Sequence, residues 1–79
     1  MDAEEIRKVV LAELKRIAPE LEEVQPAKPL RDQVDLDSMD WLNFLVALNE
    51  RLRMEIPEAD YRKLGTLDQV VEYLAAKAR

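Results

Sequence analysis

The chain predicts an all-α fold, a small antiparallel four-helix bundle, on three observations. Apolar residues recur at helical spacing in three separate stretches of its 79 residues. No stretch alternates as a strand would. The four prolines and the single glycine fall between those stretches and not inside them. Three main helices, one short helix and one long crossover loop satisfy this pattern.

The first helix is expected over residues 2–18. Asp2 can cap it, and Glu5 completes a D-x-x-E pattern resembling a capping box. Ile6, Val10, Leu14 and Ile17 form the inward stripe, widened by Val9 and Leu11, while Glu4, Lys8, Lys15 and Arg16 belong on wet faces. Pro19 ends the helix by pushing Ala18 out of the α region. Residues 19–36 form the crossover, holding Pro26 and Pro29, with Leu21, Val24, Leu30, Val34 and Leu36 spaced as anchors onto a core and a helical turn expected from Leu21 to Val24. The second main helix is expected over residues 37–53. Trp41, Leu45, Leu48 and Leu52 share one stripe, and Leu42, Phe44 and Val46 broaden it beyond what one core needs. Met39, Trp41, Phe44 and Val46 are therefore the candidates for exposure, with Met39 and Val46 assigned to partner contact. Pro57 opens a short helix over Glu58–Leu64, and Gly65 stops it as a C′ residue. Thr66 and Gln69 form a capping box for a last helix carrying Leu67, Val70, Val71 and Leu74. Its tail, Ala75–Arg79, is expected to fray.

The length allows one small domain, residues 1–79. There is no cysteine and no histidine, which removes histidine general bases, cysteine nucleophiles, disulfides and the common zinc ligand sets. The formal net charge of −5 comes without a basic patch, so no nucleic acid is expected as a partner. Acidity instead favours partners with basic surfaces. Met1 is followed by Asp2, Glu4 and Glu5 with no apolar h-region, and no apolar run is long enough for a membrane span, so a cytoplasmic chain is expected.

Attention then falls on Ser38, the only serine, at the start of the second main helix between Asp35, Asp37 and Asp40. Three readings of it compete. It can be the N-cap, although Asp35 and Asp37 are equally suited and Asp37 with Asp40 forms its own D-x-x-D pair. It can be a nucleophile, but without histidine only a Ser–Lys pair with Lys28 is conceivable. It can be a substrate for modification, since a hydroxyl at a helix N-terminus suits a phosphoryl group and the aspartates suit recognition by a basic enzyme. A calcium loop is the weakest alternative: Met39 occupies the third ligand position and Asp40 the glycine position of the EF-hand pattern.

The segment Asp37-Ser38-Met39-Asp40 resembles the Asp-Ser-Leu or Asp-Ser-Met signature of acyl carrier proteins. Glu22-Glu23-Val24, Ala47-Leu48, Glu55-Ile56-Pro57 and Val71-Glu72-Tyr73-Leu74 fit the same layout, so the resemblance spans nearly the whole chain. It implies that a phosphopantetheinyl transferase moves 4′-phosphopantetheine from coenzyme A onto Ser38, flanked by Asp37 and Met39, and that the imported thiol holds acyl groups as thioesters. The chain would then be a carrier and not an enzyme. It would serve acyl-transferring or acyl-modifying enzymes of fatty-acid, lipid or polyketide-type synthesis, and do so most usefully as a monomer. The resemblance further implies docking through Asp35, Met39, Asp40, Val46 and Glu50. An acyl chain folding back into the bundle would meet walls drawn from Trp41, Leu45, Leu48, Ile56, Leu64 and Leu74.

The chain departs from the family's pattern in informative places. Asn43, Asn49, Arg51 and Arg53 stand where fatty-acid carriers usually place acids, which predicts a docking surface of mixed sign and a specialised partner set. Asp35 stands where glycine is usual, a substitution that aspartate tolerates if φ is positive. Trp41, three residues after Ser38, is expected either beside the pantetheine arm or as an ordinary core aromatic. Two alternatives remain: an aminoacyl or peptidyl carrier of non-ribosomal assembly, or an unmodified helical adaptor.

Overall fold

Helical spacing and end caps set the architecture of the computed structural model, which describes residues 2–78. Helix α1 runs Ala3–Ile17, a single turn α2 runs Leu30–Gln33, α3 runs Ser38–Leu52, a 3₁₀ helix runs Glu58–Lys63, and α4 runs Leu67–Lys77. Among the described residues the only extended pairing is an isolated bridge between Pro29 and Thr66. The result is a small all-α bundle in which α1 packs against both α3 and α4.

The predicted stripes form the core. Ile6, Val10 and Leu14 of α1, Leu45, Leu48 and Leu52 of α3, and Leu67, Val70, Val71 and Leu74 of α4 are all buried in one cluster, which Leu30, Phe44, Ile56 and Leu64 complete. Phe44 is fully buried, which corrects its place among the candidates for exposure: it lies one residue before Leu45 and three after Trp41, inside the stripe. Leu42 takes its place outside, at 38% exposure.

The caps form largely as the sequence indicates. Asp2 accepts the Glu5 N–H at 2.9 Å, although the return bond of a full box is missing. Thr66 and Gln69 close a complete capping box. Helix α4 continues through Lys77, whose ammonium lies 5.5 Å from the Tyr73 ring centroid, so the expected fraying of the tail does not extend over Ala75–Lys77. Arg79 lies outside the described residues.

The crossover holds its anchors, with Leu30, Val34 and Leu36 buried and Leu21 and Val24 half-buried. Its helical turn is displaced, however. A turn over Leu21–Val24 would need the Gln25 N–H, which instead donates to Gln33 Oε1 at 2.6 Å. The Gln33 amide returns bonds to the carbonyls of Gln25 and Lys28, each at 2.9 Å. One glutamine thus folds the loop on itself and places the turn at Leu30–Gln33. Two backbone bonds then fix the loop to the start of α4: Leu30 N–H to the Gly65 carbonyl at 2.8 Å and Asp68 N–H to the Pro26 carbonyl at 3.1 Å.

The short helix after Pro57 is 3₁₀ and ends at Lys63, with Pro57 itself extended and standing before the first turn. None of its residues is buried, so no apolar stripe supports a longer α-helix, and 3₁₀ geometry suits such short pieces. Gly65 follows, but its φ is not positive. Its lack of a side chain serves a close approach instead: an added Cβ would lie 3.2 Å from Gln69 Oε1, the atom that accepts the Gly65 N–H at 2.9 Å. The single positive φ among the described residues belongs to Arg53, the left-handed C-cap of α3. Asp35 therefore needs no such tolerance.

Candidate functional site

Ser38 is the first residue of α3 and is exposed. Asp37 performs the capping: its Oδ1 accepts the Asp40 N–H at 2.8 Å, and Asp40 Oδ2 accepts the Asp37 N–H at 3.4 Å. The Asp37 carbonyl accepts the Trp41 N–H at 3.0 Å, beginning the helical ladder. The redundancy seen in the sequence is thus resolved in favour of the two aspartates. The Ser38 hydroxyl has no capping duty, and the N–H groups of Ser38 and Met39, in the first turn, have no intrahelical acceptor. Asp35 is exposed between the buried side chains of Val34 and Leu36. Among the described residues, no group of three or more Asp, Glu, His or Cys converges as metal ligands would.

The face of α3 beside Ser38 is apolar and open. Met39 is 64% exposed, Leu42 38% and Val46 40%, and their spacing of three and four residues lines them up on one side. Asp40 lies at the upper end of this stripe, and the exposed Glu50 lies one turn beyond Val46. Leu42 was missed as an exposed position, although its spacing of three residues from Met39 and four from Val46 carried the signal. Trp41 is half-buried, with its ring 5.3 Å from that of Phe44. It packs against both the main core and a smaller cluster of Ala18, Val34 and Leu36 in the crossover, so it joins the loop before Ser38 to the helix after it.

Three of the four positions that give α3 its mixed sign also have internal work. Asn49 Oδ1 accepts the Ile56 N–H at 2.8 Å. Arg53 is the C-cap. Arg51 donates to Glu13 Oε1 at 3.0 Å, and Arg16 donates to Glu13 Oε2 at 3.0 Å. Glu13 is the one buried charged residue among those described. Burial raises its carboxyl pKa, but the hydrogen bonds and charges of Arg51 and Arg16 outweigh that and hold it below the usual carboxylate value. Glu13 lies three residues after Val10, on the edge of the buried stripe, and its neighbour Arg16 was legible. Its partner on α3 was not.

The remaining named apolar residues come together. Leu45, Leu48, Ile56, Leu64 and Leu74 are all buried in the same core cluster, with Trp41 at its edge. A surface concavity of about 310 Å³ lies elsewhere, between α1 and the crossover, where Arg7, Leu11, Leu21, Val24 and Leu67 are among its walls.

Residues 4–74 match the family model described as the phosphopantetheine attachment site. The chain belongs to the acyl carrier protein family. It is 32% identical over 75 residues to an acyl carrier protein of Rubrobacter xylanophilus, covering 94% of this chain and 93% of that protein. It is also 32% identical over 76 residues to an acyl carrier protein of Helicobacter hepaticus, covering 96% and 97%. The solution structure of an Anaplasma phagocytophilum protein assigned as an acyl carrier protein superposes with a TM-score of 0.87 at 28% identity, over 100% of this chain and 94% of that one. The cofactor of an acyl carrier chain is covalently attached 4′-phosphopantetheine, and the matched segment includes Ser38. An exposed hydroxyl freed from capping, beside two first-turn N–H groups able to face a phosphate, fits that group chemically. Among the described residues no helix is long and apolar enough to cross a membrane.

Proposed function

We propose that Ser38 is the attachment point for 4′-phosphopantetheine, and that residues 1–79 act as one carrier domain delivering acyl groups to enzymes of fatty-acid, lipid or polyketide-type synthesis. The observation that carries this reading is the division of labour at the start of α3: Asp37 and Asp40 cap the helix and leave the Ser38 hydroxyl exposed. When attached, the group supplies the thiol on which acyl groups are held as thioesters. Ser38 provides the oxygen that bonds to its phosphorus, and the first-turn N–H groups with the helix dipole favour the phosphate's charge. The chain carries cargo and is not the catalyst, and it works as a monomer in the cytoplasm. Met39, Leu42 and Val46 form the apolar centre of its docking surface. Asp35, Asp40 and Glu50 supply charge for a basic phosphopantetheinyl transferase and for the acyl-transferring enzymes that follow. Leu45, Leu48, Ile56, Leu64, Leu74 and Trp41 are the proposed surroundings of a sheltered acyl chain, where each buried CH₂ is worth about 0.8 kcal/mol.

Thiol titration tests the reading directly, because the chain contains no cysteine. Denatured apo-protein should give no reaction with a thiol reagent before treatment. After incubation with coenzyme A and a broad-specificity transferase, then desalting, it should give one equivalent per chain. A folded chain that gains none with two different transferases would overturn the assignment. Loading by an acyl-activating enzyme, and not by an amino-acid-activating one, would place the cargo in the acyl class. The docking surface has its own expectation. The double substitution Met39→Glu with Val46→Glu should lower kcat/KM for transferase loading by about tenfold or more, since it puts two charges into an apolar contact. Its stability should stay within about 0.5 kcal/mol of wild type, both sites being exposed.

A further inference from the structure

The ion triad that joins α1 to α3 carries more charge than neutralisation requires. Glu13 of α1 is buried, its side chain only 5% exposed, and one guanidinium would balance it. Two are present. Arg51 Nη1 donates to Glu13 Oε1 and Arg16 Nε donates to Oε2, each at 3.0 Å. Burial opposes the ionised carboxyl, but the two arginines outweigh it, so Glu13 is charged at neutral pH. The triad is therefore left with one positive charge in excess. That charge meets solvent, because the Arg51 side chain is 50% exposed and that of Arg16 is 67% exposed. Each guanidinium has five N–H donors, and Glu13 engages one from each. Among the described residues neither arginine pairs with any other carboxylate.

Arg51 also ends a row on α3. Met39, Asn43, Ala47 and Arg51 stand four residues apart, a spacing that keeps successive side chains adjacent on a helix. The row carries no charge until Arg51, and it opens at the apolar stripe of Met39, Leu42 and Val46. At 1.5 Å per residue, Arg51 lies about 20 Å along the helix from Ser38. We propose that Arg51 and Arg16, positioned by Glu13, anchor a pair of carboxylates on an acidic segment of a partner protein docked against α3. Naming that partner as an acyl-transferring enzyme rests on the carrier reading; the anchor itself does not. Planar guanidiniums match carboxylates through paired N–H contacts. Glu13 already fixes both side chains, which lowers the ordering cost of binding. The chain's net charge of −5 and the exposed Glu50 beside Arg51 oppose an extended polyanion, whereas a local pair of acids avoids both. The two ends of α3 then ask for opposite signs. A partner that meets both needs cations near Ser38 and carboxylates about 20 Å away.

The probe is a capped helical peptide with glutamates four residues apart, labelled for fluorescence anisotropy and titrated into the unloaded chain at low salt. By NMR, the Arg51 Nε–H resonance should shift and saturate, and should move further than that of Arg53, an exposed arginine with no carboxylate partner among the described residues. The glutamine version of the peptide should leave both in place. Two variants separate an anchor from plain attraction. Arg51→Lys keeps the charge and the ion pair but loses the planar fork, and Glu13→Gln removes a negative charge but loses an acceptor. An anchor predicts that each weakens the peptide by about fivefold or more. Plain attraction predicts no change in the first and tighter binding in the second, and either result would overturn the proposal. Circular dichroism checks both folds, and Arg51→Lys decides alone if Glu13→Gln unfolds. Inorganic phosphate that binds as tightly as the peptide would overturn the assignment to a protein partner. The enzyme half is read on chain loaded at Ser38. The acyl-transferring enzyme that uses it with the highest kcat/KM should lose about tenfold with Arg51→Lys, and a loss below about twofold would overturn that half. If Ser38 takes no adduct, the carrier reading fails and the enzyme half fails with it, while the peptide titration still decides the anchor.

Discussion

Phe44→Ala is expected to leave most of the chain unfolded at room temperature. The Phe44 ring is completely buried, at the centre of α3 and against Trp41. Truncating such a residue typically costs about 3–5 kcal/mol, from lost transfer energy and the cavity left behind. A domain of this length without disulfides or metals commonly holds only about 3–5 kcal/mol in total. The two quantities are comparable, so the equilibrium shifts from almost wholly folded to largely unfolded. Far-UV circular dichroism with urea titration reads this out: the variant should lack a folded baseline or show a midpoint close to zero denaturant. A native-like transition would mean that the ring is less important to the core than its burial indicates. Because α3 carries both the proposed attachment point and the docking stripe, loading of this variant should fail together with its fold.

Ser38→Ala should do the opposite, abolishing loading completely while leaving the bundle intact. A serine that capped α3 would cost about 1 kcal/mol on replacement. Asp37 holds that role, so the expected change in unfolding free energy is within about 0.5 kcal/mol. Asp37→Ala supplies the contrast. It removes the acceptor of the Asp40 N–H and should cost about 1 kcal/mol, in the usual range for a lost cap, while the Ser38 hydroxyl stays available. Denaturant curves for the two variants, recorded beside thiol titration, separate the residue that holds the helix from the residue that holds the cofactor. If Ser38→Ala were the more destabilising of the two, the assignment of the cap to Asp37 would be wrong.

Local chemistry made much of this legible in the sequence. Period and caps together placed α1, α3 and α4, because the signals for each lie within a few residues of one another: Asp2 with Glu5, Asp37 with Asp40, Thr66 with Gln69. The crossover anchors and the leucine stripes were readable for the same reason, whereas the Asp37-Ser38-Met39 segment stood out through its resemblance to a family signature. The misreadings arose where distant residues decide. Gln33 captures the Gln25 N–H from eight positions away and moves the helical turn from Leu21–Val24 to Leu30–Gln33. The partner of exposed Arg51 was hidden in the same way, because Glu13, far back in the chain, lies between it and Arg16. The place of Phe44 depended on which side of a broad apolar face met α1 and the shared core, and a broad face does not specify its own centre. Gly65 carried the right position but the wrong reason, since its φ is not positive and the close neighbour of its Cα is the Gln69 side chain.

The central claim is that one hydroxyl, at Ser38, receives 4′-phosphopantetheine. Intact mass, measured for wild type and Ser38→Ala after incubation with coenzyme A and a broad-specificity transferase, tests it most directly. The prediction is a single phosphopantetheine adduct on the wild type, mapped to the peptide containing Ser38, and none on the variant. An adduct on Ser38→Ala, or none on folded wild type with a second transferase also tried, would contradict it.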